Sequence, residues 1–308
     1  MYIRKKILFL LPLIFSLTVL SSDIEEIIVK GEYREKSLGE EDSSIAVIQS
    51  EQIKSQAIKH FQQLSHLVPN LNYAASDSRA RYFQIRGIGE RSGYQGTPNS
   101  SVGFLIDDID YSGQGGIATL FDVDQVEVFR GPQGSRSGAN ALAGLIYIKT
   151  KDPTEKFEGT SELTLGDYGT QNIGIAFGGP MQNKKLKYRL VLRTDYADGF
   201  RKNTYLNKSD TSKKDELTLR YKLNWELNET TNLDFLVSKV DMDDPADIWT
   251  IDGSLNTLSD RPGMDSQNTN SYGIKITKDF SNFTVQSLTS ATKTDVIFSY
   301  DADWGNAD

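Results

Sequence analysis

A strict alternation of apolar and polar residues between Leu217 and Leu227 restricts the fold more than any other feature of the chain. Six apolar side chains occupy every second position, and the five residues between them, which include Arg220 and Lys222, are polar. In an extended strand, such a pattern places apolar side chains on one face and polar ones on the other. Its length of eleven residues matches a tilted strand that crosses a bilayer. The pattern therefore favours a transmembrane β-barrel over the alternative, a soluble β-sandwich.

The same alternation recurs in other segments after Thr150. Their apolar positions are Ile173, Ile175 and Phe177; Leu186, Tyr188, Leu190 and Leu192; Leu233, Phe235 and Val237; and Tyr272, Ile274 and Ile276. Short connections (178–185 and 228–230) alternate with long polar ones (198–213 and 242–271). This rhythm is expected of an outer-membrane barrel, whose short turns face the periplasm. About seven strands are expected in this chain, too few to close a plugged barrel of roughly 22 strands.

The N-terminus has the layout of a secretory signal peptide. Arg4, Lys5 and Lys6 precede the apolar run from Ile7 to Leu20, and a basic stretch before a short apolar segment is typical of such signals. The run is shorter than the ~20 residues of a membrane-spanning helix. We predict a signal peptide over residues 1–22 and export of the rest, with a retained membrane anchor as the alternative.

Composition excludes several classes of function. The chain has no cysteine, which rules out disulfides, thiolate metal ligands and cysteine nucleophiles. Its net charge of −8 argues against nucleic acid as a partner. His60 and His66 lie six residues apart, off the common metal spacings, and are predicted to lie at the surface. With no triad or facing carboxylate pair visible, no enzymatic activity, metal or cofactor is predicted.

Between the signal peptide and Thr150, the sequence pattern predicts a mixture of strands, turns and one helix. The expected elements are a mobile linker at 32–44, strands at 44–49, 82–89 and 102–106, and an amphipathic helix at 51–67. Three acids, Asp107, Asp108 and Asp110, follow the third of these strands. Their spacing lacks the glycine and final glutamate of an EF-hand, so a solvated turn is favoured over a calcium site.

The stretch from Leu120 to Lys149 predicts a strand, a compact loop and a second strand. Apolar runs at 126–129 and 145–148 flank a loop rich in glycine and serine. No Lys-Ser/Thr follows the glycines, as a phosphate-binding loop would require. The glycines are therefore expected to serve backbone geometry.

A short β-branched run lies just after the predicted signal peptide, at Ile27 to Val29. An extended segment of this kind can add as a strand to the open edge of a partner's sheet. From the spacing alone, an ordinary first strand of the next domain is the favoured interpretation.

Three sequence motifs in the first half of the chain occur in an order that is typical of one protein family. The segments QIRGIG (84–89), VGFLIDDI (102–109) and VEVFRGPQG (126–134) are similar to successive plug-domain motifs of the TonB-dependent outer-membrane receptors. The segment EEIIVKG (25–31) resembles the TonB box, with Lys30 where threonine is more frequent. The chain resembles these receptors over essentially its whole length.

The resemblance implies an α+β plug domain followed by an antiparallel transmembrane β-barrel, incomplete in this chain. The implied boundaries are TonB box and linker at 23–44, plug domain at 45–152 and first barrel strands at 153–308. It also implies energy-coupled uptake of a scarce ligand, with a ferric siderophore favoured, in the outer membrane of a Gram-negative cell. The implied partners are TonB with its inner-membrane energising complex, the siderophore or a similar chelate, and outer-membrane lipid. The alternative function is an exported β-rich adhesin or carbohydrate-binding module.

Site residues follow from the resemblance in three groups. Those expected to bind TonB are Glu26, Ile27, Ile28 and Val29. Arg86 and Arg130 match plug arginines that pair with barrel glutamates, and with the adjacent Glu127 they form a predicted plug latch; simple plug packing is the alternative. Polar or aromatic residues on loops expected to face outward are the predicted ligand contacts: Arg91, Tyr94, Gln95, Tyr111 and Gln114.

Overall fold

A computed structural model describes residues 26–75, 78–92, 99–182 and 184–306. The predicted signal peptide lies outside these residues, as do Tyr94 and Gln95. Within the described ranges, no helix is long and apolar enough to cross a membrane.

The first half of the chain combines small sheets with short helices. Its strands are β1 (Ile28–Val29), β2 (Lys36–Ser37), β3 (Ile45–Gln49), β4 (Leu71–Ala75), β5 (Ala80–Ile85), β6 (Val102–Ile106), β7 (Ile109–Asp110), β8 (Val123–Phe129) and β9 (Gly144–Thr150). Its helices are α1 (Ser50–Ser55), α2 (Gly134–Ser137) and 3₁₀ turns at Leu38–Glu40, Phe61–Leu67 and Gly115–Ile117. A five-stranded sheet has the order β3-β8-β9-β6-β7, while β1-β2 and β4-β5 form separate pairs. Strands β6 and β9 are parallel, and the other neighbours are antiparallel.

The central strands β8 and β9 are apolar on both faces because both faces of this sheet are covered. One face carries Val126 and Val128 and contributes to the main core, in which the rings of Phe61, Phe83 and Phe104 meet. Their centroids lie 4.9 to 5.5 Å apart, within the range of favourable aromatic contacts. The opposite face packs against residues from the N-terminal segment.

The second half of the chain is a single antiparallel sheet with loops. Its strands are β10 (Glu158–Leu165), β11 (Gln171–Pro180), β12 (Leu186–Ala197), β13 (Lys202–Asn203), β14 (Lys214–Asn228), β15 (Thr231–Ala246), β16 (Asn256–Thr257), β17 (Gly263–Asp279) and β18 (Thr284–Ser299). The seven long strands β10, β11, β12, β14, β15, β17 and β18 are hydrogen-bonded in chain order. Strands β13 and β16 pair in the two long connections. Among the described residues the sheet does not close, and β10 and β18 are its edges.

The alternation that predicted these strands is confirmed by the burial of their side chains. On β14, Thr218, Arg220 and Lys222 are buried, whereas Leu219 and Trp225 are exposed. The polar face is covered by the first half of the chain, and the apolar face is open, as a membrane-spanning sheet requires.

Two elements of the first half differ from the sequence-based prediction. The helix expected over 51–67 is wrong, because the chain leaves the α-conformation at Ala57, which has φ +52°. Two short helices, α1 and the 3₁₀ turn at 61–67, replace it. The linker expected at 32–44 is also wrong, since this segment contains β2 and a 3₁₀ turn.

His60 lies in the interior rather than at the surface. It is 3% exposed, and its Nε2 lies 2.9 Å from the Gly116 carbonyl oxygen. Burial, with a smaller contribution from Arg79, lowers the pKa of His60 well below its ordinary value, which favours a neutral ring. The ring caps the 3₁₀ turn that follows it by accepting a hydrogen bond from the Gln62 amide.

Candidate functional site

The N-terminal segment 28–37, which we term the strap, lies against one face of the five-stranded sheet. It consists of β1, a turn and β2, which pair antiparallel. Val29 is fully buried there, in a cluster that includes Phe129, Leu145 and Tyr147. The strap is therefore part of the folded domain, although its sequence is short and largely charged.

Glu127 holds the strap by its backbone. Its Oε1 accepts a hydrogen bond from the Lys30 amide at 2.6 Å, and its Oε2 accepts one from the Gly31 amide at 2.8 Å. Burial raises the pKa of the Glu127 carboxyl, although hydrogen bonds from Lys30, Gln125 and Gly31 oppose this effect. A Cβ at Gly31 would lie 2.7 Å from Glu127 Oε2 and 2.8 Å from the Phe129 ring, so this close approach needs glycine.

The four predicted TonB-binding residues are on or next to the strap, in different environments. Glu26 is exposed, Ile27 and Ile28 are partly buried, and Val29 is buried. Their binding to TonB stays a prediction.

The three residues of the predicted latch are not brought together. Arg86 is exposed and lies in the turn after β5, with φ +54°, rather than inside a strand. The Arg130 amide donates to Ser44, and its side-chain Nε is buried without a hydrogen-bond partner among the described residues. Glu127 instead faces the strap. Pairing of the two arginines with barrel glutamates therefore stays a prediction.

Other ion pairs join the first half of the chain to the sheet. Asp122 accepts two hydrogen bonds from the Arg189 guanidinium on β12, with both side chains nearly inaccessible. Further pairs connect Arg79 with Glu216, Arg81 with Asp265, and Lys59 with Glu162. The charged residues of the sheet that take part lie on its covered face, because buried charges need partners.

A second group of charges lies at the end of the sheet where the short turns are. The Asp107 carboxylate accepts hydrogen bonds from Lys222 at 2.9 Å and from both the amide and hydroxyl of Thr150. Burial opposes ionisation of Asp107, but Lys222 and Lys149 outweigh it and lower the pKa of its carboxyl. The expected turn is present and Asp110 is exposed, but the prediction of solvated carboxylates is wrong for Asp107 and Asp108, which are paired. Asp108 instead pairs with Arg136 and lies 3.6 Å from Lys275 Nζ.

These charges border a cavity of about 610 Å³ between the two halves of the chain. Its wall includes Lys30 of the strap, Asp107, Lys222 and the short turn at 228–230. Among the described residues, no group of three or more acidic or histidine side chains is placed to hold a metal ion.

Phe121 projects into a notch in the sheet. A Cβ at Gly174 of β11 would lie 2.7 to 2.9 Å from the Phe121 ring, so only glycine leaves room for it. The Arg193 guanidinium lies 5.6 Å from the ring centroid, within cation–π range. The Phe121 carbonyl accepts a hydrogen bond from Arg220 at 3.0 Å.

The described ligand-contact candidates occupy contrasting positions. Arg91 is exposed, whereas Tyr111, expected to face outward, is 3% exposed and belongs to the main core. Burial raises the pKa of the Tyr111 phenol to about 12. Gln114 accepts a hydrogen bond of 2.6 Å from Thr294 on β18. Ligand binding by these residues stays a prediction.

Sequence reasoning missed Arg136, Asp122 and Phe121, which make some of the most specific contacts of the molecule. For Asp122, a signal was present in the charges at alternate positions of β12 and β14, which require partners on a covered face. Nothing in the local sequence distinguishes Arg136 or Phe121, because their partners are distant in the chain.

A mixed sheet that packs on the polar face of a membrane-type antiparallel sheet defines a plug domain with part of its barrel. Residues 37–145 match the family described as TonB-dependent Receptor Plug Domain. This stretch of the chain is therefore similar to the plug domains of TonB-dependent receptors.

Relatives among characterised proteins are distant and longer. The pesticin receptor of Yersinia pestis is 25% identical over 192 residues, which cover 62% of this chain and 28% of that protein. The ferripyoverdine receptor of Pseudomonas aeruginosa is 24% identical over 139 residues, or 45% of this chain and 16% of that protein. The chain thus spans about a quarter or less of the length of these two relatives.

Solved structures share the fold. The ferric yersiniabactin uptake receptor from Yersinia pestis aligns with a TM-score of 0.75 at 20% identity, over 84% of this chain and 42% of that one. The ferripyoverdine receptor of the outer membrane of Pseudomonas aeruginosa aligns with a TM-score of 0.70 at 18% identity, over 91% and 38%.

Proposed function

We propose that this chain is the plug and first barrel strands of an outer-membrane receptor for TonB-dependent, energy-coupled uptake. The observation that carries the proposal is the strap, an extended segment at the N-terminal end of a plug. It is docked beside the charged cavity and held by the buried Val29 side chain and a few polar contacts. A segment held in this way can be detached without unfolding the main core, on the other face of the sheet. We also propose the domain boundaries given above, with the plug ending near Thr150.

A ferric siderophore is the ligand that we propose. The relatives include receptors named for pesticin, ferripyoverdine and ferric yersiniabactin, and the last two names denote iron complexes. The ligand would contact loops on the side of the long connections, opposite the cavity. The residues of the plug that we propose to contact the ligand remain Arg91, Tyr94, Gln95 and Gln114. Tyr111 would contact the ligand only if its side chain left the core. The chain itself would catalyse no reaction, and outer-membrane lipid would cover the exposed apolar face of the sheet.

Transport would require the plug to shift while its core stays folded. Force applied at Ile27 to Val29 would first act on the hydrogen bond from Gln125 to the Ile28 carbonyl and then on those of Glu127, because these lie at or next to the point of attachment. Detachment of the strap would remove Lys30 from the wall of the cavity and widen it. The paired charges on the covered face of the sheet would hold the plug in place between transport events.

The test replaces Ile28 with proline in the whole receptor. Proline lacks an amide hydrogen and restricts the preceding residue, so strand pairing with TonB should be lost while surface binding of the ligand continues. Uptake of the radiolabelled iron complex should fall to the level of a strain without TonB. A matched Glu40→Gln variant, at an exposed position after the strap, should take up the ligand normally. Undiminished uptake in the proline variant, with normal surface binding, would contradict the proposal.

The second candidate, an exported adhesin or carbohydrate-binding module, makes a different physical prediction. It requires residues 23–308 to be soluble and monodisperse without detergent. The exposed apolar face of the sheet, with Leu190, Leu219, Tyr272 and Ile274 open to the outside, supports the membrane-bound alternative.

A further inference from the structure

Both backbone edges of β1 are already occupied within this chain. On one edge, Ile28 and Val29 pair with β2, and the Leu38 amide donates to the Ile27 carbonyl at 2.8 Å. On the other edge, the Ile28 carbonyl accepts from Gln125 Nε2 at 2.8 Å, and the Lys30 amide donates to Glu127. A partner strand can therefore pair with β1 only after one of these edges has been opened.

The side chain of Arg136, on α2, clamps the turn of the strap. Its Nε donates to the Gly31 carbonyl at 2.8 Å. Its guanidinium lies 4.6 Å from the Tyr33 ring centroid and 5.9 Å from that of Tyr147, so it lies between the strap and the sheet. The Tyr33 hydroxyl donates in return to the Arg136 carbonyl at 3.3 Å.

Arg136 also connects the strap to the barrel wall. Its Nη2 pairs with one oxygen of Asp108, and the other oxygen of the same carboxylate lies 3.6 Å from Lys275 Nζ on β17. Asp108 is in the turn between β6 and β7, and β7 leads directly to Tyr111 and Gln114. A shift of this hairpin relative to the wall would therefore change the contact that holds the strap.

We propose that Arg136 is the release point of the strap: while it bridges Gly31 and Asp108, both edges of β1 stay closed, and when this bridge opens, β1 becomes available to a partner strand. This inference rests on the proposed function for the identity of the partner, but not for the release itself. Arg136 is a positioning residue, since it acts through Gly31 and Asp108.

The test uses an introduced cysteine as a reporter of strap release, because residues 1–308 contain none of their own. Val29→Cys places a thiol of similar size at a fully buried position of the strap. In the whole receptor, with any other cysteine replaced by serine and in membranes open on the periplasmic side, a maleimide should label this strap thiol slowly. Arg136→Gln should raise the labelling rate about tenfold or more, since it removes hydrogen bonds from a charged group. Arg136→Lys, which keeps the charge but not the forked geometry, should give an intermediate rate.

Two controls separate release from general damage. Arg34→Gln removes an exposed arginine from the same turn and should leave the labelling rate unchanged. Val126→Cys, a core thiol that is fully buried on the opposite face of the sheet, should stay protected in the Arg136→Gln background. Unchanged labelling of the strap thiol in Arg136→Gln would overturn the proposal. Labelling of both the strap thiol and the core thiol would overturn it too, because Arg136 would then hold the whole plug.

A TonB-binding measurement distinguishes this inference from the proposed function. The periplasmic domain of TonB should be captured more efficiently by the Arg136→Gln receptor than by the unmodified one. If the strap thiol is released but capture does not increase, Arg136 is the release point and the proposed partner is wrong. If the strap thiol stays protected while Ile28→Pro still abolishes uptake, the proposed function holds and the release point is wrong.

Discussion

Two regions of the plug differ in what holds them together. Its interior is an apolar core, whereas most of the specific interactions at its contact with the barrel wall are between charged groups. In the core, Phe61, Phe83 and Phe104 pack ring against ring and are at most 4% exposed. At the wall, Val240 and Met242 add apolar contact to the core and the Phe121 ring fits against Gly174. Many of the other contacts are ion pairs, such as Asp122 with Arg189.

This difference would suit the proposed function, in which the plug stays folded while its position changes. Exposing apolar surface to water is unfavourable, and no solvent molecule can replace the lost packing. Separated charges, in contrast, are rehydrated, which offsets much of the attraction that is lost. The core therefore resists opening, whereas the wall contact can be broken and formed again.

The largest expected effect comes from Phe104→Ala, which leaves a cavity where three aromatic rings meet. We expect the free energy of unfolding of the plug to fall by about 3 to 5 kcal/mol. The measurement is a urea titration in detergent micelles that follows the reactivity of the core thiol in the Val126→Cys background. A loss below about 1 kcal/mol would mean that the core does not dominate the stability of the plug.

A smaller effect, confined to the wall, is expected from Asp122→Asn. Asn also tolerates the φ of +61° found at this position, so the change removes mainly the charge and leaves Arg189 buried without its partner. We expect a loss of about 3 kcal/mol, measured through a wall thiol introduced by Met242→Cys. The core thiol of Val126→Cys should be less affected.

The double variant Asp122→Asn, Arg189→Met sharpens this test. Replacing both partners of a buried ion pair by uncharged groups is often close to neutral. Recovery of most of the lost stability would identify the unpaired guanidinium as the cause. If the double variant is as unstable as the single one, the pair does not account for the contact at the wall.

The smallest effect is a pH dependence that should appear at the wall and not in the core. Lys222 and Lys149 lower the pKa of Asp107 in the docked plug in spite of its burial. A group whose folded-state pKa is lowered adds stability above its unfolded value of about 3.9, and this stability is lost as the pH falls through the folded value. Probed with a pyridyl disulfide, which reacts with thiols in acid, the wall thiol should thus become accessible at a higher pH than the core thiol does. Asp107→Asn should narrow the difference in pH between the two reporters.

How much of the structure could be predicted from the sequence depends on how far apart along the chain the contacting residues lie. Alternation is local, so the strands and the sets of side chains that share a face could be predicted, whereas the burial of Arg220 and Lys222 depends on the plug that covers them. The core strands β6, β8 and β9 could be predicted for the same reason, from their apolar runs.

The strap could not be predicted, because its contacts join residues about 100 positions apart. Residues 32–44 are polar enough to suggest a linker, yet Tyr33 and Gly31 bind Arg136, whose own neighbours are glycine and serine. His60 was also misplaced, since only the approach of Gly116 gives its ring a buried partner. The latch expected from Arg86 and Arg130 needs glutamate partners on the barrel. No such pair is seen among the described residues, so the latch stays a prediction.

The notch at Gly174 has a consequence for how the receptor is assembled. Asn172 and Ala176 flank Gly174 on the same face of β11, so a plug displaced along this strand by one repeat would press Phe121 against a side chain. Of the observed setting and its two neighbours one repeat away, only the observed one accepts the ring. In the proposed function, a plug that enters its barrel after folding, or returns to it after a transport event, would thus reach the same position whichever route it took. The fit of the Phe121 ring against Gly174 would set that position.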